Sequence, residues 1–302
     1  MDGIILINKE KNYTSHDVVN IAKKVFNTKV GHTGTLDPNA TGLLPLLIGE
    51  GTKLSFYLIN HDKEYEVVLK LGVKTDSADS EGNVIEKQKV DSKLLNKDFV
   101  EKILKEFIGK QNQIPPIYSA IKVNGKKLYE YARKKQKVEI KPRSIEIYNI
   151  ELNNIDNKNN LIYFTVSCSK GTYIRSLCEN IAEKMGTVGY MLELNRTKVG
   201  IFNIEDSIKV DDLIYNKDNK QKLISYLISI EDIIECLYGK ENKISLDNKK
   251  LKLFLNGVKL RYNLKDSIYR IYDKENNFIG IGSINKNLLK REIILAKNNL
   301  IW

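Results

Sequence analysis

Cysteine is scarce in this 302-residue sequence: Cys168, Cys178 and Cys236 are odd in number and widely spaced. No CxxC pair and no Cys/His cluster occurs, which argues against a disulfide framework or a structural zinc site. Each cysteine is expected to be a small buried apolar residue in a reducing compartment. Histidine is equally scarce, and His16, His32 and His61 form no HExxH-like pair. The longest early apolar run, residues 4–7, falls far short of the ~18 residues a membrane span needs. It also lacks the basic start and small-residue cleavage site of a signal peptide. A soluble, cytoplasmic protein is expected. With 18 Gly and 5 Pro, collagen-like and low-complexity organisations fall away as well.

Positive charge is plentiful. Lys plus Arg number 49 against 38 Asp plus Glu, a formal charge of +11. Such a surplus suits a polyanionic partner, because each neutralised phosphate releases condensed counterions. A Lys-, Ile- and Asn-rich usage can also arise from genome base composition, so charge alone does not name the partner. Hydrophobic residues at 42% and charged residues at 29% are ordinary for a globular chain, and the length predicts about two domains.

Residues 4–7 predict a buried strand, and Thr14 or Ser15 can cap a helix through Val18, Val19, Ile21, Ala22 and Val25. Residues 65–73 alternate as a strand, followed by an acidic loop over 74–83. Phe99, Ile103, Phe107 and Ile108 mark an amphipathic helix ending at Gly109. Residues 118–123 predict a strand before an Asn124-Gly125 turn, and 143–152 with 161–169 a hairpin. Residues 171–185 are helical, with Ile174, Leu177, Cys178, Ile181 and Ala182 on one face. Strand pairs interrupted by helices favour an α+β class with an antiparallel or mixed sheet. Near residues 238–243 the pattern changes. Short strands at 252–255, 267–272 and 278–284, split by turns, predict a small β-rich barrel. The expected domains are 1–240 and 241–302.

Residues 31–42, GHTGTLDPNATG, are too rich in Gly, Thr and Pro for a regular element. A P-loop is excluded because Leu43, not Lys, follows Gly42, and the glycines do not follow GxGxxG. What remains is a glycine-flanked loop presenting one carboxylate, Asp37. An Asp-Pro turn bonding its own backbone is the ordinary reading of that residue. In CSKGTYIR (168–175), Arg175 falls in the first turn of a helix, where it could hold a carboxylate bidentately. A surface ion pair is its ordinary fate. Asp76, Asp79 and Glu81 lack EF-hand spacing and predict a solvated acidic turn. Residues 122–143 carry Lys122, Lys126, Lys127, Arg133, Lys134, Lys135, Lys137, Lys141 and Arg143 with Tyr129 and Tyr131 interleaved, a pattern able to grip RNA.

Together the 31–42 and 168–175 segments closely resemble the signature of bacterial tRNA pseudouridine synthases of the TruB type. KEYE (63–66), QIPPIYSAIK (113–122), GKKLYEYAR (125–133) and LNRTKVG (194–200) occur in the family's order, and the similarity covers most of residues 1–200. The C-terminal stretch, FIGIG (278–282) above all, resembles a PUA-type RNA-binding domain. The resemblance implies a pseudouridine synthase catalytic domain with a small PUA-like barrel, acting on uridine 55 of the tRNA T-loop. It implies Asp37 as catalytic carboxylate, Arg175 as its partner and Tyr65 as the active-site tyrosine that stacks on the base. His32 would stand where the base leaves its stack, Leu194 would pack near it, and Lys9, Lys126 and Lys127 would serve substrate binding. Lys9 is followed by Glu10 where the family usually has Pro, and Asn195 stands where Arg is frequent. No cofactor and no metal is implied, and the enzyme is expected to act on tRNA as a monomer without a protein partner. Two other classes are weighed against it. A non-catalytic RNA-binding or tRNA-folding protein would not need Asp37 and Arg175. A guide-RNA-dependent synthase would share the core but act within a complex.

Overall fold

The computed structural model describes residues 1–59, 61–134 and 136–295. Lys135 of the basic stretch and the last seven residues of the expected C-terminal unit lie outside the described residues. The fold is α+β. Its centre is a mixed ten-stranded sheet. Along it run Ile208–Lys209, Gly3–Lys9, Thr41–Ile48, Gly189–Val199, Lys63–Leu71, Leu161–Cys168, Arg143–Asp156 and Gly109–Gln113. Two short strands, Val30–His32 and Phe202–Asn203, pair on Thr41–Ile48 and Gly189–Val199. Most pairs are antiparallel, but Gly189–Val199 meets Thr41–Ile48 in parallel at Asn195–Thr41 and Arg196–Gly42.

Why residues 4–7 are apolar without alternation is clear from the layers. Ile5 and Ile7 face a core under the helices Ser15–Phe26, Lys97–Lys105 and Ile174–Lys184, with Val18, Ile103 and Ile181. Ile4 and Leu6 face the opposite side, with Leu43, Leu47, Ile230 and Ile233. A strand buried on both faces carries a continuous apolar run. The first helix begins as expected: Thr14 Oγ1 accepts from Asp17 N at 3.1 Å, and the Asp17 carboxylate accepts from Thr14 N at 2.9 Å. This reciprocal capping box satisfies two otherwise orphaned donors.

Residues 243–294 build a second, five-stranded sheet. Ser267–Tyr272 and Phe278–Asn285 stand where strands were expected. Residues 252–255 do not form one. They end the helix Asn248–Leu255, in which Asp247 caps Lys250 N at 2.8 Å and Leu251 and Phe254 are buried at i,i+3 spacing. Four apolar-rich residues alone are too few to distinguish that period from a strand. The expected strand over 118–123 shrinks to Lys122–Val123, paired with Lys126–Lys127 over an Asn124-Gly125 turn in which both residues have positive φ. Upstream, the carbonyls of Ser119 and Ile121 accept instead from the backbone of Tyr129 and Leu128. Cys168 and Cys178 are buried as expected, whereas Cys236 is exposed on the outer side of the helix Ile230–Tyr238.

The second sheet packs directly on the first. Ile281 and Ile293 belong to the same apolar cluster as Ile4, Leu6, Leu43 and Leu47. Arg270, 3% exposed, bonds the Glu235 carboxylate and the Lys240 carbonyl, Tyr272 bonds Glu231, and Lys53 Nζ donates to Ile294 O at 2.7 Å. A chain ending at Asn242 would therefore bare a contiguous apolar face and leave Glu235 unpaired. It is expected to aggregate or melt well below the full chain in light-scattering and thermal-unfolding measurements. A monodisperse truncation with the full chain's melting temperature would contradict this packing.

Candidate active site

The loop 33–40 crosses between Val30–His32 and Thr41–Ile48 without strand partners, so its backbone groups need other ones. Ser15 supplies two: its Oγ donates to Leu36 O at 3.0 Å and accepts from Leu36 N at 2.8 Å. Lys9 Nζ donates to Pro38 O at 3.0 Å, Tyr13 O at 2.7 Å and Glu10 O at 3.0 Å. Arg196 donates from Nη2 to Gly34 O at 3.0 Å and from Nε to Leu43 O at 2.8 Å. Where the loop ends, Gly42 has φ +104, and a Cβ there would lie 2.3 Å from the Arg196 carbonyl oxygen. Only glycine permits that close parallel pairing.

This frame holds Asp37 in the wall of a cleft of about 480 Å³, with its side chain 39% exposed. Arg175 meets it side-on, Nε to Oδ2 at 3.2 Å and Nη2 to Oδ1 at 3.5 Å. The guanidinium also approaches Asp79 Oδ2 at 3.4 Å, Ser77 O at 3.4 Å and Tyr118 O at 3.0 Å. Arg175 is thus buried between two carboxylates, in the first turn of Ile174–Lys184, and is not a surface residue. Gln113 fixes that helix start, its amide bonding both Tyr173 N and Tyr173 O at 2.8 and 3.0 Å. Burial pushes the Asp37 carboxyl above its ordinary value. Arg175 pulls it down, and Asp79 pushes it further up.

Tyr65 and Leu194 line the same cleft, and both are largely buried. Burial pushes the Tyr65 phenol up to about 12, against the pull of Arg196, so the hydroxyl is neutral near neutral pH. His32 stands beside the site and not among the cleft-lining residues; its Nδ1 accepts from Gly34 N at 3.2 Å. Burial, then Arg196, lowers its pKa and keeps the imidazole neutral. Lys126 is exposed on the hairpin, and Lys127 and Arg133 lie 5.4 and 5.3 Å from the ring of Tyr129, which lines the cleft. The basic stretch therefore reaches the cleft through one aromatic ring.

Lys9 departs from expectation. It has no exposed surface, and burial brings its ammonium down to about 8. Its three carbonyl partners make it a clamp on the Asp37 loop and not a residue that touches substrate. Asp79 is a second correction. In place of a solvated turn, its carboxylate accepts from Ser77 Oγ and Glu81 N and faces Arg175. Its spacing carries no local signal, because the contact is made across nearly one hundred residues of chain. Arg196 was legible in principle. It shares the inward face of its strand with Leu194, and a cation on a buried face needs an explanation.

Comparison with known proteins identifies the fold and the family. The solved Cbf5–Nop10–Gar1 complex contains a chain 26% identical, with a TM-score of 0.66, over 93% of this chain and 78% of that one. A chain of an H/ACA RNP bound to a substrate RNA containing 2′-deoxyuridine is 22% identical with a TM-score of 0.68, over 98% and 86%, and shares the fold. The family described as "TruB family pseudouridylate synthase (N terminal domain)" matches residues 23–174. "tRNA pseudouridylate synthase B C-terminal domain" matches 175–235, and "Pseudouridine synthase II TruB, C-terminal" matches 243–291. The fold is that of an RNA pseudouridine synthase, an isomerase. Proteins called "tRNA pseudouridine synthase B" are 42% identical in Clostridium kluyveri, over 93% of this chain and 95% of that one, and 44% identical in Clostridium tetani, over 96% and 98%. The chain belongs to the TruB family of pseudouridylate synthases.

The raised Asp37 value makes a stability statement. A carboxyl whose folded-state pKa exceeds its unfolded one favours folding when protonated. That contribution is lost as pH rises from the ordinary carboxylate range through the raised value. Asp37→Asn removes the buried charge, so the variant is expected to melt no lower than wild type near neutral pH, with the difference shrinking in acid. Thermal unfolding across that range checks it; a variant markedly less stable at neutral pH would mean the Arg175 ion pair outweighs desolvation.

Proposed function

We propose that this enzyme converts uridine 55 in the T-loop of tRNA to pseudouridine with Asp37 as its catalytic carboxylate, acting in the cytoplasm without a protein partner. The observation that carries the reading is a single accessible carboxylate, held side-on by a buried arginine, in a nucleotide-sized cleft walled by Tyr65 and Leu194. The names of the relatives at about 40% identity support tRNA as the substrate.

The reaction breaks the C1′–N1 bond of uridine, turns the uracil and forms C1′–C5, while the C5 proton is lost and N1 gains one. Atoms balance without an external oxidant or reductant. A carboxylate can take part as nucleophile or base, and attack at C1′, attack at C6 and elimination through a glycal all begin from such a group. Its target must leave the stack of the loop to enter the cleft. Tyr65 offers the extruded base an aromatic face. With its phenol pushed up to about 12, it is neutral in the resting enzyme and takes no proton from C5 in that form, and the Arg196 guanidinium beside it is placed to stabilise the phenolate. Arg175 keeps the Asp37 oxygens oriented, and the basic Lys126–Lys127 edge meets the RNA backbone.

Asp37→Asn preserves shape and removes the nucleophile. Pseudouridine, mapped by sequencing after incubation with unmodified transcript, should fall below detection while tRNA still binds in a filter assay. Near-normal conversion would place the chemistry elsewhere. Wild-type conversion of bare transcript separates this reading from the guide-RNA-dependent one, in which the purified chain alone would be inactive. With prefolded RNA, conversion should also survive exhaustive EDTA; a loss that added zinc restores would overturn the metal-free route.

A further inference from the structure

The cleft has a second charged feature that the carboxylate chemistry leaves unexplained. Lys63 opens the strand Lys63–Leu71, two residues before Tyr65, and both line the cleft. The two-residue repeat of a strand places them on one face, about 7 Å apart along the chain. Gly34 shows where the lysine runs. A Cβ built on Gly34 would lie 3.8 Å from Lys63 Cε and 3.6 Å from Arg196 Nη1, so two cationic side chains converge on one bare backbone position.

Their electrostatics are unbalanced. Among the described residues, neither Lys63 nor Arg196 has a carboxylate oxygen within 4.0 Å. Lys170 lines the same cleft and adds positive charge near Lys63. Asp62 is the carboxylate that acts on Lys63, after the weaker-acid Cys168 thiol, and it is already bonded by the Tyr148 hydroxyl at 2.9 Å. Burial first, and Arg196 next, bring the Lys63 ammonium down to about 8, which leaves it mostly cationic at neutral pH. Arg196 is fully buried and holds the Leu43 and Gly34 carbonyls through Nε and Nη2, with Tyr65 as a further partner. Lys63 has spent one donor, on His61 O, and an ammonium has three. Lys63 and Arg196, like charges with no carboxylate oxygen within 4.0 Å, are costly to hold together in the free protein and are relieved by an incoming anion. In a nucleotide, the phosphate lies one ribose away from the base, as Lys63 lies one strand repeat away from the ring that would face that base.

We propose that Lys63, backed by Arg196, binds the phosphodiester flanking the extruded uridine and so fixes the ribose with C1′ toward Asp37. This rests on the isomerase reading above and adds a positioning residue to it. A lysine that merely pinned the turn at His61 would stabilise the fold without sensing the charge of the RNA backbone.

The test uses the full chain and synthetic T-arm hairpins of one sequence. One has natural linkages, and the others have a neutral methylphosphonate on the 5′ or 3′ side of the target uridine. Single-turnover rates at saturating enzyme isolate the positioning effect from affinity. On natural RNA, Lys63→Gln should lower the rate about ten- to a hundredfold, the scale of one charge-assisted hydrogen bond. Wild type should lose a similar factor on one of the two methylphosphonate RNAs, and Lys63→Gln should lose nothing further there. Lys63→Arg should recover part of the rate. An unchanged rate in Lys63→Gln, or losses that multiply on every RNA, would overturn the proposal. Should the variant fail to fold in a thermal melt, equal wild-type rates on all three RNAs would overturn it just as well. Absence of conversion of every RNA by wild type would sink the T-loop reading itself, an outcome distinct from equal rates.

Discussion

The position of the Arg175 guanidinium between Asp37 and Asp79 is the constraint on which the rest of the site depends. One side chain draws five segments to a point: the 33–40 loop, the Ser77–Asp79 turn, Tyr118, the start of its own helix and, through Tyr173, the strand residue Gln113. Two carboxylates sharing one cation leave a net negative charge in a half-enclosed place, so Asp37 is held ionised less firmly than a simple ion pair would hold it. That balance suits the reacting role proposed for Asp37. A guanidinium that neutralised it alone, with perfect geometry, would also pacify it. Losing the arginine would leave the two acids facing each other. Breaking a fully buried pair costs about 3–5 kcal/mol, and the 39% exposure of Asp37 moves the figure toward the lower end.

Around this sits a second arrangement with the opposite logic. Lys9 and Arg196 are fully buried cations whose partners are backbone carbonyls and not carboxylates. Each pays a desolvation cost, visible in lowered values for both. What offsets it is the need of an irregular loop for donors. Carbonyls of Gly34, Pro38 and Leu43 find no sheet partner for these bonds, and a multidentate cation can satisfy several at once. An apolar residue at either position would remove these bonds, leaving Pro38 O with Asn12 N alone, and would leave the loop freer to shift. The loop is therefore rigid because of buried charge, and its rigidity is what gives Asp37 a fixed direction.

The residues that could be read from sequence are those whose reason is local. Thr14 with Asp17 specifies a helix start within four residues, and the two-sided burial of residues 4–7 is written in their unbroken apolar run. Asp37 and Arg175 stood out because glycines, a proline and a strand-to-helix turn surround them, and the family resemblance joined them; neither segment alone named an enzyme. What could not be read depends on contacts remote in sequence. Asp79 looks like any acid in a polar turn until Arg175, nearly one hundred residues on, is placed beside it. Lys9 was expected to serve substrate binding because it matches the family's N-terminal motif, yet the Tyr13 and Pro38 carbonyls, one near in sequence and one remote, hold it buried. The 252–255 helix failed for a different reason. Its signal lay in the Asp247 cap, outside the short apolar window.

The same long-range logic makes the C-terminal unit part of the catalytic frame and not an appendage. Thr41–Ile48 leaves the Asp37 loop directly, and its side chains divide between two cores. Leu44 and Leu46 pack under the helices, while Leu43 and Leu47 join the cluster that holds Ile281 and Ile293 of the second sheet. Leu43 also lends its carbonyl to Arg196. The strand that anchors the loop is thus clamped from both faces, one of them supplied by residues more than two hundred positions later. Interiors pack densely enough that a displaced layer is felt across the sheet. Loss of the second sheet would therefore loosen one face of the strand that leaves the Asp37 loop, although no described residue of that unit lines the cleft.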